Sequence, residues 1–410
     1  MSLLSKTRIL FAAILVSAVL GAAVWNAYSQ GSRILQGLSD MSPPASLAEL
    51  RTAGKRVEAQ VNRHLEGKYE AWDLYARIQQ SLGKSEMNDF AVIKADDGRL
   101  YRGGLYPLNT ENSGRLAEVI ADFAGLAGEQ GTKVLYMNTP DAVIKGKKIE
   151  PGYMPYRDYN AASDALLYGL RERGVPFIDT RYSFLQQGFG QEDISPRTTF
   201  LMSAEASFAA FGYLLEGLER KFNLSLDPDG FYRDGSNYTV TTYPDFFMGE
   251  LGKETDPSFG GLADFKAVTP DFETEYVYEA LDMFGNPTSI RGDAQTTLLH
   301  PDALVYYENI YRLYPQSYYK HTNTVWSKVV NLRNPGGPKI LVLHDYYTAQ
   351  VLSHLAPLCG EMHTLAHQDN LFTDATRYIK DNRFDYIIIS FLPQNLVRPE
   401  MQRLIAAEGE

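Results

Sequence analysis

The 410-residue chain reads as an α/β protein: a mostly parallel sheet flanked by helices, preceded by one membrane-spanning helix. Three observations predict this. Short runs of aliphatic and β-branched residues (134–137, 340–343, 387–389) lack polar alternation, which is how strands covered on both faces read. Stretches of helical period lie between them. Residues 227–321 then break the alternation. They are rich in Gly, Pro, Asp and Tyr without a long helix, so they read as a large insertion or lid.

Composition sets outer bounds. Lys and Arg number 39 against 50 Asp and Glu, a net charge of −11, and this acid excess argues against a nucleic-acid partner. With 44% hydrophobic and 22% charged residues the chain is globular. A single cysteine, Cys359, rules out an internal disulfide and a Cys-based metal cluster.

Residues 9–25 are uncharged and follow Lys6 and Arg8. Positive charge on that flank holds the N-terminal end in the cytoplasm and sends the remainder across the membrane. Two fates fit the run. A cleaved signal peptide would use Ala27 and Ser29 before the cut. An uncleaved anchor fits the length better, with Trp25 and Tyr28 at the far interface. The expected localisation is therefore the cell membrane, single-pass, with the globular part extracytoplasmic and residues 1–30 forming the tip and anchor.

Residues 31–46, with Pro43-Pro44, read as a linker. Residues 48–82 have helical spacing, interrupted at Gly67. Residues 90–101 read as a hairpin turning at Asp97-Gly98. A helix over 111–130 ends at Gly131, and strand 133–137 follows. A helix over 160–173, strand 175–178 and a helix over 204–221 come next. After the insertion come strand 339–343, a helix beyond Tyr347, a strand near 362–365 and strand 385–389. The α/β domain is thus expected over 47–226 and 322–410.

In such sheets ligands bind beyond the carboxyl ends of the strands. That rule selects His344-Asp345-Tyr346-Tyr347, and also Asn138-Thr139-Pro140 and Ser390 with Gln394-Asn395. The 344–347 turn offers His and Asp but puts tyrosine where a hydroxyl nucleophile is needed, and a phenol of pKa about 10 is poor in that role. The plain alternative is that His344 and Asp345 only cap the next helix. His363 and His367 read as strand residues, some 13 Å apart at i, i+4, too far to share a metal. Metal: none. The glycine motifs of nucleotide binding are absent, so no cofactor is expected. The tyrosine-rich stretch including Tyr318 and Tyr319 offers a platform for stacking on sugars, although aromatic residues more often simply pack.

Several segments together resemble the DHHW family, relatives of the alginate O-acetyltransferase proteins with an SGNH-hydrolase-like α/β domain. They are Asn88 to Ile93 with Asp97-Gly98-Arg99-Leu100, Val134 to Pro140, Phe246-Phe247-Met248-Gly249-Glu250, and Leu341 to Tyr347. The resemblance covers about residues 50–395. The block that names the family aligns with Glu205-Ala206-Ser207-Phe208, with Gly212 at its later glycine, so both histidines are replaced. In the Asp-Ser-Tyr turn, Asp345 and Tyr347 match and Tyr346 takes the serine position. The candidate catalytic positions are His344, beside the turn, and Asp345, Tyr346, Glu205 and Ser207, which the resemblance marks. The candidate substrate contacts are Tyr347 and Phe208 from the resemblance, Asn395 from the strand-end rule, and Tyr318 and Tyr319 from the tyrosine-rich stretch. Losing triad members removes several powers of ten in rate.

Three functions follow. The first is a catalytically degenerate, membrane-anchored protein supporting O-acetylation or assembly of a cell-surface polysaccharide, with a membrane-bound O-acyltransferase as implied partner. The second is an active O-acetyltransferase or acetylesterase with relocated residues. The third is an extracytoplasmic carbohydrate-binding or scaffold protein.

Overall fold

The computed structural model describes residues 3–39, 47–305, 309–367 and 374–405. The chain divides into two compact units, Met1–Ile78 and Gln79–Glu410. The first holds α1 (Leu3–Gln36), α2 (Leu47–His64) and most of α3 (Lys68–Ser81). Gly67, at φ +74°, separates α2 from α3 as the spacing predicts, since that left-handed conformation is the one glycine adopts without a Cβ penalty. Glu66 just before it accepts from the Trp25 indole at 2.8 Å and from Ser29 Oγ at 3.1 Å.

Among the described residues no helix is long and apolar enough to cross a membrane. The side chains of most of the expected 9–25 anchor lie outside the described residues. α1 runs to Gln36, so the first residues of the expected linker are helical, and residues 40–46 lie outside the described residues.

The second unit opens with a small antiparallel sheet of β1 (Glu86–Met87), β2 (Val92–Lys94) and β3 (Leu100–Arg102), turning at Gly98 as expected. There follow α4 (Glu111–Glu129), β4 (Lys133–Asn138), α5 (Asn160–Glu172), β5 (Phe177–Asp179), α6 (Thr180–Gln186), α7 (Gln191–Ile194) and α8 (Ala204–Phe222). β6 (Tyr238–Phe247) leads through α9 (Gly249–Lys253) and α10 (Pro257–Gly260) to β7 (Ala263–Pro270). Then come β8 (Tyr276–Asp282), β9 (Pro287–Gly292), α11 (Ala294–Thr297), β10 (Thr324–Asn331) and β11 (Lys339–His344). The described chain closes with α12 (Ala349–Leu355), β12 (Glu361–Ala366), α13 (Ala375–Asp381) and β13 (Tyr386–Ser390).

The central sheet has eight strands in the order β5-β4-β13-β11-β12-β10-β8-β9. The first five run parallel, as expected. The last three are antiparallel, so the sheet is mixed, with its parallel half as expected and an antiparallel extension that was not. The extra strands come largely from the 227–321 segment. Its β8 alternates buried Tyr276, Tyr278 and Ala280 with more open positions, the period-two pattern of a strand with one face on the core. Within the same segment, β6 and β7 form a separate two-stranded ribbon.

α4 and α5 cover one face of the sheet. Their Leu116, Ile120, Phe123, Leu166 and Leu170 recur at helical spacing and pack on Leu341, Leu343, Ile387 and Ile389. Each such side chain contributes about 1.5–3 kcal/mol on burial. The alternate residues of β11, ending in His344, point to the opposite face.

Candidate functional site

The carboxyl ends of β4, β11 and β13 lie side by side, and the turns that follow them build a polar cluster. Asp345 is its anchor. The carboxylate is fully buried and accepts from Tyr347 N at 3.1 Å, Leu392 N at 2.7 Å and Asn395 Nδ2 at 2.9 Å. It thus caps the short turn at Tyr346–Thr348 and ties it to the turn after β13. Burial pushes its pKa up to about 6 against the pull of these hydrogen bonds.

His344 is equally buried. Its Nδ1–H donates to the Asp345 carbonyl at 2.7 Å, which leaves Nε2 as the unprotonated nitrogen, and Nε2 has no partner among the described residues. Burial pulls its pKa down to about 4, so the ring is neutral. It faces the side of the sheet where His321 sits within electrostatic reach, and its ring is shielded from solvent.

Tyr346, at the family's serine position, is half-buried within electrostatic reach of Arg102 of β3. Arg102 makes a two-pronged pair with Glu254 at 2.7 and 2.8 Å and also lies near Tyr159. Tyr347 turns inward, and its hydroxyl donates to the Pro140 carbonyl.

Sequence reasoning missed Asp141. It follows β4 and is buried, with Gln394 Nε2 at 3.3 Å and Arg102 within electrostatic reach. Burial pushes its pKa up to about 7. A carboxyl held there titrates at neutral pH and marks a candidate functional group. Its position directly after Asn138-Thr139-Pro140 was the available signal, because strand ends are where such sites form.

The α8 residues form a second wall. Glu205 pairs with Lys266 of β7. Ser207 is buried, and its hydroxyl has no partner among the described residues. Phe208 packs edge-on against Tyr238 and His354, with ring centres 5.1 and 5.2 Å apart. A cavity of about 360 Å³ opens beside this helix start and the β6–β7 ribbon. Arg99, Arg197 and Lys266 line it together with Glu192, Glu205, Asp245 and Asp264. Gln316 and Gln350 add amides, and Gln350 Oε1 is buried without a partner among the described residues.

Of the expected site residues, Asp345, Tyr347 and Asn395 are brought into one hydrogen-bonded group. Glu205 is on the cavity wall. Tyr318 and Tyr319, expected as a sugar platform, are only 4% and 1% exposed and pack with Phe247, Phe265 and Leu313, so neither offers a ring face to a ligand. The Tyr318 hydroxyl is engaged by Thr269 at 2.8 Å. His363 is held by Tyr378 and Glu361. Residues 306–308 and 368–373, the latter including Asp369, lie outside the described residues.

No family model matches the sequence, and no curated protein does. Solved structures are similar in fold. Bacillus cereus PatB1 with a sulfonyl adduct is 14% identical with a TM-score of 0.60, over 76% of this chain and 97% of that one. A second structure of Bacillus cereus PatB1 is 15% identical with a TM-score of 0.58, over 74% and 96%. A DHHW family protein from Eubacterium siraeum is 14% identical with a TM-score of 0.55, over 77% and 96%. At these identities the likeness establishes the fold. The chain has the α/β fold of a DHHW family protein, as the sequence motifs implied.

Proposed function

We propose that the chain is an exported, membrane-anchored and catalytically degenerate member of this fold group that supports O-acetylation or assembly of a cell-surface polysaccharide. One observation carries the reading: the turn after β11 keeps the Asp and second Tyr of the family motif but has Tyr346 in place of serine. The nearest histidine, His344, is fully buried with its Nδ1 engaged by backbone. Ala206 and Ser207 occupy the positions of the family's histidines. A nucleophile and its base must lie within hydrogen-bond reach of each other, and these residues supply no such pair. The resemblance names a membrane-bound O-acyltransferase as the working partner, with residues 9–25 as the tether.

Deleting the gene and measuring ester-linked acetate on surface polysaccharide tests the role. Reduced acetate is expected, and unchanged acetate overturns it. The purified full-length chain should release no acetate from a generic acetyl ester, and a release that His344→Ala abolishes overturns the degenerate assignment.

Asp141 favours a second reading, an active acetyltransferase or esterase with relocated residues. A buried carboxyl titrating near 7 beside Arg102 and Tyr159 has the properties of a general acid or base. Ester hydrolysis with an inflection near pH 7 that disappears in Asp141→Asn would establish it.

A further inference from the structure

The cavity beside α8 adjoins a second recess of about 110 Å³, walled by Phe208, Gly235, Val240 and Val268. Ala204 and Glu205 belong to both walls, so the two compartments meet at the Glu205–Lys266 pair. The step from polar to apolar is built into one face of the ribbon. Asp264, Lys266 and Val268 alternate onto that face of β7, and Val240 of β6 stands opposite Val268 while Thr242 stands opposite Lys266.

The charge around the larger compartment is mixed: three basic and four acidic side chains line it, together with two amides. A single-signed field would select an ion. Interleaved donors and acceptors instead match hydroxyl groups, each of which both donates and accepts. An added carboxylate would meet a wall with one acid in excess, in a chain that already carries −11. The buried Gln350 Oε1 on the same wall, unpartnered among the described residues, is available to accept a donor from a ligand hydroxyl. The volume of about 360 Å³ falls among small-ligand pockets, which run about 300–1,000 Å³.

We infer that this two-part cleft binds a neutral, hydroxyl-rich sugar residue carrying a short acyl substituent, with the hydroxyls in the polar compartment and the acyl group against Phe208, Val240 and Val268. The inference rests on the polysaccharide role proposed above and names the class of glycan: neutral and already acylated, not a polyuronate.

The test is binding of full-length protein in detergent to O-acetylated glucomannan, to the same polymer after alkaline deacetylation, and to polymannuronate. Acetylated glucomannan should bind at least fivefold more tightly than the deacetylated polymer, and polymannuronate should not bind. Val240→Asp, at a position 53% exposed where folding tolerates a charge, should abolish the preference for the acetylated form. Gln350→Ala should weaken binding of both forms, and unchanged melting of each variant excludes misfolding. Equal binding of the two glucomannans, tighter binding of polymannuronate, or no binding at all overturns the inference. Loss of surface acetate on gene deletion with no glucomannan binding would overturn it while leaving the broader role standing. The reverse pair of results overturns that role alone.

Discussion

The Tyr347 hydroxyl donates to the Pro140 carbonyl at 2.6 Å, joining the turn after β11 to the turn after β4 across the width of β13. Both ends are buried, so water cannot replace the phenol. Tyr347→Phe leaves a buried carbonyl without its donor, which costs about 1–3 kcal/mol. Urea unfolding should show a loss of that size with an unchanged m-value.

Arg181 is buried under α5. Its guanidinium reaches Asp179 at 2.7 and 2.8 Å, Asp164 at 2.7 Å and Asn160 at 3.2 Å. Arg181→Met strands the Asp179 carboxylate, which is largely shielded from solvent, and breaking a buried pair in this way costs about 3–5 kcal/mol. The double variant with Asp179→Asn should recover part of the loss, because the two residues share one network. A double variant no more stable than Arg181→Met would show that the guanidinium's packing, not the charge, sets the cost.

Gly249 sits at φ +66°, and a Cβ there would come within 2.3 Å of the Thr198 carbonyl oxygen, a backbone atom with no room to yield. Gly249→Ala should lower the melting temperature sharply, from this contact and from about 1–2 kcal/mol of left-handed backbone cost. Gly252→Ala, whose nearest contacts would be 3.3 Å, should be much milder. The glycine of the family-like 246–250 segment is thus required sterically.

Acid stability has a sign fixed by burial. His344, His354 and His363 are pushed down to about 4, and His321 to about 3. Each takes up a proton on unfolding between its folded value and 6.5, so its contribution is present above that range and lost as pH falls through it. Asp141, Asp345 and Glu250 act oppositely, since burial raises their pKa values and holds protons in the fold that the unfolded chain releases. Four histidines against three carboxyls still leave net proton uptake on unfolding near pH 5. The melting temperature should therefore fall from pH 6.5 to pH 5. A flat or rising profile would contradict the neutral burial of these rings.

Asp141 costs the fold stability as the unfolded carboxyl ionises. Its value is about 7 in the fold against 3.8 in the open chain, so the cost grows between these values and is complete above 7. Asp141→Asn should stabilise the protein at pH 8 and change little at about pH 2, where the carboxyl is protonated in both folded and unfolded wild type. Thermal melts at the two pH values separate this from a general packing change.

The parallel half of the sheet was legible because strands buried on both faces must be continuously apolar, as in 340–343. α5 was legible because Ala162, Leu166 and Leu170 keep one helical stripe. β8 carried its own signal, the alternation Tyr276, Tyr278, Ala280, which the surrounding Gly and Pro residues obscured. The burial of Tyr318 and Tyr319 was not legible. It depends on the β6–β7 ribbon covering them, a pairing between residues that composition alone leaves free. Asp345 and Asn395 could both be found from the strand-end rule, whereas their pairing across 50 positions, and the Leu392 backbone contact beside it, could not.

β13, the last described strand, lies between β4 and β11. The sheet therefore cannot close while the ribosome is still adding residues before Ser390. Until then β4 and β11 each present an open edge, and the Asp345 turn lacks the backbone that completes it. The nascent chain cannot complete its central sheet early, a delay that would suit the export proposed above. A frameshift shortly before Tyr386 would remove not a tail but the middle of the protein.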